Sequence, residues 1–266
     1  MNNIKEAQLL RENREALVQS FNDLGIAADE NTPMSELVGL MKWSAGLRDL
    51  RLACLSKSTG AYSDYSLDEF NALSASGKAQ LVKLGLRIRA ERLDFIISKD
   101  NIYRSNGNTT MPWASSYVDV RNLTNYGPGS TGHLLDVDGE ANTDAILAFG
   151  DTANVTFEAA RQARAYKAST VADGGFDDPT KWSLPAIGQL WLLYKYRKQI
   201  NAALTSFFGT SQLITDDWYW SSSEYDASYA WYVLMSYGNV NGINKLSTYR
   251  VRAVAPVPLV SVSAAI

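Results

Sequence analysis

The chain has 266 residues, of which 46% are hydrophobic and 20% charged, and a net charge of −3. That is the composition of an ordinary globular protein with length for one large or two modest domains, and it carries no electrostatic footprint for nucleic acid or an anionic membrane. One cysteine, Cys54, and one histidine, His133, exclude an internal disulfide framework and a structural zinc site, which needs several Cys or His ligands, so no metal or other cofactor is expected.

The first segment, MNNIKEAQLLREN, is polar and lacks the apolar core of a signal peptide. Residues 3 to 24 read as an amphipathic helix, with Leu10, Leu17 and Leu24 seven residues apart and Phe21 on the adjoining row. It serves either as a short oligomer seam or as a helix packed on its own domain. Gly25 ends it, and Thr32-Pro33 opens a second helix whose apolar face is Leu37, Val38, Leu40 and Met41. Together these make a helical N-terminal region over 1–57. Residues 56 to 65 are small and polar and read as a turn-rich connection, and helical patterning returns over 67 to 93. The stretch DFIIS at 94–98 predicts a first strand. Loops and short strands are expected from 100 to 153, and a helix over 156 to 168 with Phe157, Ala160 and Ala163 on one face. A turn-rich loop follows over 173–185. Pro185 then starts a long helix over about 186–207, lined by Ile187, Leu190, Trp191, Leu193, Tyr194 and Ile200. After Gly209 the segments WYWSS, AWYVLMS and YRVRAVAPV have the length and content of strands, with turns offered at Gly238-Asn239 and Asn241-Gly242. Helices followed by short antiparallel strands make an α+β domain. No stretch is apolar for long enough to span a bilayer, so no membrane insertion is expected.

Residues 218 to 254 are the most informative tract. Anchors (Trp218, Trp220, Ser221, Trp231, Val233, Gly238, Lys245, Arg250, Val251, Arg252, Val254) alternate with a scatter of Tyr, Ser, Asn and Gly. Contact surfaces of antibody type use that mixture: Tyr gives rigid amphipathic area at low entropy cost, and Ser, Gly and Asn give adaptable hydrogen bonds. Tyr219, Tyr225, Ser228, Tyr229, Tyr232, Leu234, Ser236, Tyr237, Asn239, Asn241, Gly242, Ile243, Asn244, Leu246, Ser247, Thr248 and Tyr249 form the candidate variable surface. Trp218, Trp220, Trp231 and Arg252 form its scaffold. Strand alternation sends Trp231 and Val233 to the core and Tyr232 and Leu234 outward, and it splits Val251 from Arg250 and Arg252 in the same way. Each buried Trp removes about 150–250 Å² from water, which is why core packing is the first reading of these residues.

Helix, Trp182-Ser183-Leu184-Pro185, helix, then Trp218-Tyr219-Trp220-Ser221-Ser222-Ser223-Glu224, Ala230-Trp231-Tyr232-Val233, a glycine, Lys245 and Arg250-Val251-Arg252-Ala253-Val254 resembles the C-type lectin-like fold. More specifically it is similar to the variable proteins of diversity-generating retroelements, whose adenine positions are rewritten by an error-prone reverse transcriptase. The resemblance covers about the last 170 residues and implies a C-type lectin-like variable domain over 95–257. A connecting segment over 58–94 precedes it and a tail over 258–266 follows. It also implies a non-enzymatic binding protein whose partner is a host-cell surface protein or glycan. A homo-oligomer is implied, a trimer by the resemblance, located on a phage tail or alternatively on a bacterial cell surface. NTPMSELVGLM in the first 57 residues resembles virion-attachment segments of tail proteins.

Two departures bound the resemblance. The Glu-Pro-Asn and Trp-Asn-Asp tripeptides of calcium-dependent sugar lectins are absent, and Asp217-Trp218-Tyr219-Trp220 stands on the corresponding strand. A single cysteine does not supply the pair that formylglycine-generating enzymes need. The GxGxxG match at 127–132 is interrupted by Pro128 and reads as a surface loop, and the acidic run Asp136, Asp138, Glu140, Asn142, Asp144 reads as a hydrated turn. His133 receives no catalytic role. The rival reading is a structural virion or cell-surface protein whose Tyr-rich tract is only core and subunit interface. A hydrolase would need a carboxylate pair in a cleft.

Overall fold

The computed structural model describes residues 46–104, 106–127, 132–170, 178–209 and 214–258. The helices expected over 3–24 and 32–41 lie outside them, as does most of the 258–266 tail. The chain divides into two compact units, residues 1–48 with 90–92 and residues 49–89 with 93–266; nearly all described residues belong to the second.

The second unit is built on a five-stranded sheet. Strand β1 (Leu47–Ser56) pairs antiparallel with β2 (Tyr62–Tyr65), with Cys54 opposite Ser63. Two short helices follow, α1 (Leu67–Ala72) and α2 (Ala75–Ala79). In α1 the Ser66 hydroxyl accepts from Glu69 N at 3.2 Å while Ser66 N donates to the Glu69 carboxylate at 2.7 Å, a reciprocal cap. Strands β3 (Leu81–Ala90) and β4 (Leu93–Ser98) come next, and the sheet order is β10-β4-β3-β1-β2, with β10 (Val254–Pro256) antiparallel to β4.

The helical expectation over 67–93 holds for α1 and α2 and is corrected over 81–93, where β3 and the start of β4 stand; β1 corrects the extension of the N-terminal helical region to 57. Val82, Leu84, Leu86, Ile88 and Ala90 are buried at every second residue, which is the period of a half-buried strand, not of a helix. The strand expected at 94–98 is β4. Pairing with β10 draws the C-terminal strand back beside it.

Between the sheet and the C-terminal strands lie a two-residue strand, β5 (Met111–Pro112), a 3-10 turn at His133–Leu135, and helices α3 (Gly139–Ala153) and α4 (Glu158–Ala165). The described residues of 100–138 are loops with one short strand, as expected, and α3 replaces that expectation only over 139–153. Asp138 caps it by accepting from Ala141 N at 2.9 Å, Thr143, Ile146 and Gly150 bury one face, and Asn154 ends it in the left-handed region. The acidic run is therefore the start of a helix rather than a hydrated turn. α4 confirms the helix expected around Ala160 and Ala163, both buried. The long helix expected over 186–207 is two helices, α5 (Ile187–Lys195) and α6 (Arg197–Phe208), broken at Tyr196, whose φ of −109° and ψ of 18° leave the helical basin.

The C-terminal strands form a three-stranded antiparallel sheet, β6 (Trp218–Glu224), β7 (Tyr229–Leu234) and β8 (Asn239–Asn244), and a short ribbon of β5 with β9 (Thr248–Tyr249). β8 stands where the sequence predicts turns. The Asn241-Gly242 pair lies inside it, with Gly242 opposite Trp231, and the turn spans 235–238, ending on Gly238 of the expected Gly238-Asn239 pair. The last expected strand splits into β9 and β10, because residues 250–253 cross between the two sheets. Trp113, Trp182, Trp220 and Phe157 form the centre of one apolar cluster that joins these layers, with Trp113 edge-on to Phe157 at 5.3 Å and Trp182 edge-on to Tyr166 at 5.1 Å. The α+β architecture is that of the C-type lectin-like fold.

Candidate recognition surface

The candidate surface hangs on the run Ser221-Ser222-Ser223-Glu224, which is wholly buried. Buried hydroxyls need partners, and each serine ties a different element to β6. Ser221 Oγ donates to Trp231 O at 2.8 Å, while Ser221 O accepts from Trp113 Nε1 at 2.8 Å. Ser222 N donates to Pro185 O at 2.8 Å. Ser223 Oγ accepts from Ile187 N at 2.8 Å, at the start of α5, and donates to Asp136 Oδ2 at 2.6 Å. Burial pushes the Asp136 carboxyl above its ordinary value, against the pull of Ser223 and Asn142.

At the end of the run Glu224 forms an ion pair with Lys245, both side chains fully buried. The Glu224 carboxylate also accepts from Val120 N at 3.2 Å with both oxygens. Lys245 Nζ donates to Val118 O at 2.6 Å and Ala227 O at 3.2 Å, and lies 4.8 Å from the Trp113 ring centre. Burial lifts the Glu224 carboxyl to about 7, with Lys245 pulling the other way, and burial lowers Lys245. The pair pins the loop around 118–120 and the segment 225–228 to the strand that carries Asn244. The anchor reading of Lys245 is therefore given a physical cause, and Glu224 joins it.

The four residues expected as scaffold are enclosed to different degrees. Trp220, Trp231 and Arg252 are buried and Trp218 is half-buried. Trp220 Nε1 donates to Met111 O at 2.8 Å, and Arg252 donates to Asn101 Oδ1 at 3.0 Å and Lys99 O at 3.2 Å. Arg252 and Val251 are both enclosed, because 250–253 runs between layers instead of along an exposed strand.

The seventeen residues of the candidate surface divide by burial. Tyr229, Tyr237, Asn239, Asn241, Leu246 and Thr248 are exposed, Tyr237 at 83%. Tyr225, Ser228, Leu234, Ser236, Gly242, Ile243, Asn244, Ser247 and Tyr249 are half-buried. Tyr219 and Tyr232 are buried, which corrects their place on an outer surface. Both faces of the three-stranded sheet are covered near β6: α5 packs against β6 and β7, and on the other face the Tyr249 ring lies against Trp220 and Tyr232, its neighbour Arg250 bridging to the edge of β6. Tyr219 faces the helix side, with its hydroxyl 3.1 Å from Thr215 Oγ1 and accepting from Thr215 N at 3.2 Å. Tyr232 lies under Tyr249, 5.5 Å between ring centres.

Register sorts the remainder into two patches flanking β8, the edge strand of its sheet. On one side Trp218, Tyr232 and Tyr249 pack together, with centres 4.9 and 5.1 Å from Trp218, backed by Trp220 at 4.7 Å from Tyr249. Leu234, Asn239 and Asn241 share that face. On the other side Tyr225, Tyr229, Trp231 and Asn244 cluster. The tip between β7 and β8 closes on Gly238, at φ 72°, where an added Cβ would lie 2.2 Å from the Tyr194 ring.

Sequence reasoning missed the contribution of residues outside the tract. Tyr117, 52% exposed, accepts a hydrogen bond from Asn244 Nδ2 and extends the second patch. His133 stacks on Trp231 at 4.3 Å and 6°, and Tyr126 O accepts from Trp231 Nε1 at 3.1 Å. The signal was present in the tyrosines of 117–126, but only tertiary pairing brings them to β8. Among the described residues no three His, Cys, Asp or Glu side chains group as a metal ion would require, and no helix is long and apolar enough to cross a membrane.

A model of the Lcl C-terminal domain family matches residues 106–255, which include the three-stranded sheet, its helices and the 117–133 segment. Among solved structures the chain is similar to a fimbrial protein from Bacteroides ovatus ATCC 8483, at 17% identity and a TM-score of 0.46, covering 62% of this chain and 36% of that one. No curated protein matches it.

Proposed function

The chain belongs to the Lcl C-terminal domain family, a ligand-binding, adhesin-type family that fits the resemblance to retroelement variable proteins, and we propose that it displays β8 and its two flanks as a hypervariable surface that recognises a host-cell surface molecule. The observation that carries this reading is the contrast along one tract. Glu224, Lys245, Trp220 and Arg252 are locked by buried bonds, while Tyr229, Tyr237, Asn239, Asn241, Leu246 and Thr248 between them reach solvent with no core role. Exposed Tyr with Asn and Thr is binding chemistry, and the rigid sheet beneath holds it in place at no ordering cost. The partner is a protein or glycan on the host surface, and the chain acts from a phage tail or a bacterial surface. Repetition in an oligomer multiplies weak contacts by avidity.

The test uses the labelled full chain and intact cells from a panel of bacterial strains. Parent chain is expected to bind a subset of strains. A variant carrying Tyr229→Ser, Tyr237→Ser, Leu246→Ser and Thr248→Ala is expected to lose that binding with its melting temperature nearly unchanged, since exposed substitutions usually stay within about 0.5 kcal/mol each. Equal binding by the variant would overturn the reading in favour of a purely structural tract.

A further inference from the structure

Residues 225 and 242 are not independent positions on this surface. A Cβ added to Gly242 would lie 2.4 Å from Tyr225 Cδ2, 2.5 Å from its Cγ and 2.9 Å from its Cε2. Carbon atoms in favourable contact sit about 3.5–4.0 Å apart, so the tyrosine ring occupies the space that any other residue at 242 would need. A glycine within a strand is unfavourable by itself, and an aromatic ring lying over it shields the bare backbone.

The ring has little room to yield sideways. Tyr225 packs 4.8 Å from Trp231, which is the residue directly opposite Gly242 in the β7–β8 register. Trp231 is held from beyond by its parallel stack on His133. The backbone is fixed as well, since Tyr225 N and Asp226 N both donate to Tyr229 O at 3.1 Å and close the β6–β7 turn. Tyr229, 41% exposed, stands edge-on to Tyr225 at 6.1 Å. The exposed ring is thus supported by the half-buried one, and the half-buried one is seated on the glycine.

We propose that positions 225 and 242 form one coupled specificity determinant: glycine at 242 seats Tyr225, and a side chain at 242 lifts that ring outward and reshapes the patch around Tyr229. Two families of surface follow. An aromatic 225 goes with Gly242 and a flush patch, and a small residue at 225 leaves 242 open to larger side chains. The word specificity rests on the recognition reading above; the coupling itself does not.

Gly242→Ala and Gly242→Ser are made in the parent and in a Tyr225→Ser chain, and unfolding by urea is followed for all. With Tyr225 present, Gly242→Ala is expected to lower the folding constant by about tenfold or more, as overpacking does. In the Tyr225→Ser background the same change is expected to stay within about threefold of neutral, or to raise the constant, because a strand residue replaces glycine. Nitration of Tyr225 by tetranitromethane, read by peptide mass spectrometry, is expected to rise several-fold in folded Gly242→Ser. Equal cost in both backgrounds, or unchanged nitration at Tyr225, would overturn the coupling. Neither readout involves a target. If the coupling appears and the strain panel shows no binding, the recognition reading fails alone; if binding is found and the coupling is absent, this inference fails alone.

Discussion

Replacing Lys245 by Met removes one half of the fully buried pair with Glu224. The carbonyls of Val118 and Ala227 lose a donor but belong to half-buried and exposed residues, so water can replace it. The cost therefore falls on Glu224. Its carboxyl stands at about 7 in the folded chain against 4.5 ordinarily, because burial outweighs the pull of Lys245. A folded value raised above the unfolded one means that this group's contribution is complete below pH 4.5 and declines as pH rises towards 7. Without Lys245 the folded value climbs further. Below pH 7 both chains hold a protonated Glu224, and what separates them, packing and the desolvated Lys245 ammonium, does not change with pH. Above it the parent forms the charged pair, while the variant must keep its proton, and the gap widens by about 1.4 kcal/mol per pH unit. Between about pH 6 and about pH 8.5 the cost of Lys245→Met should thus grow by about 2 kcal/mol, approaching the 3–5 kcal/mol typical of breaking a buried pair. Urea unfolding followed by tryptophan fluorescence measures it. Glu224→Gln combined with Lys245→Met, which keeps an acceptor for Val120 N, should show no such pH dependence. A Lys245→Met cost equal at both pH values would refute the argument that Glu224 carries it.

Other consequences are simpler. Cys54 lies in β1 at 0% exposure and burial pushes its thiol up to about 12, so it should resist iodoacetamide in the native chain and react on unfolding in urea. Tyr219→Ala should cost about 3–5 kcal/mol, as for other large buried aromatics, while Tyr237→Ala at the exposed tip should change stability by less than about 0.5 kcal/mol; similar costs for both would contradict the burial described. Gly238→Ala meets both a positive φ and the Tyr194 ring, and should destabilise by about 1–3 kcal/mol in thermal melts, with Tyr194→Ala relieving only the steric part.

Much of the fold was legible where one rule dominates. Trp231 and Val233 read as inward residues of a strand, and they are. Ile96 and Ile97 announced β4. The errors have physical causes. Leu84, Leu86 and Ile88 alternate strictly, yet Lys83, Arg87 and Arg89 around them imitate a helical surface. α3 was hidden because its exposed face is acidic and small, and its fully buried residues, Gly139, Thr143, Ile146 and Gly150, include one large apolar side chain. Asn241-Gly242 looks like a turn, but Tyr225 covers the glycine and makes it a strand position. The candidate surface was legible as a set of residue types. Its interior members were not, since Tyr219 and Tyr232 differ from Tyr229 and Tyr237 only in what lies above them: α5 in one case, Tyr249 in the other. Glu224 was hidden for the same reason, because its partner is twenty-one residues away and meets it only in the folded chain.

The proposed function sets a diversified surface on a fixed frame, and deep sequencing of the corresponding gene segment across a natural population tests that proposal. Substitutions are expected to concentrate at residues 229, 237, 239, 241, 246 and 248, with non-glycine residues at 242 found together with small residues at 225. Trp218, Trp220, Glu224, Trp231, Lys245 and Arg252 should stay fixed, and Tyr219 and Tyr232 nearly so. Sparse variation spread evenly over exposed and buried positions would contradict it and leave a lectin-like domain with an unvarying surface.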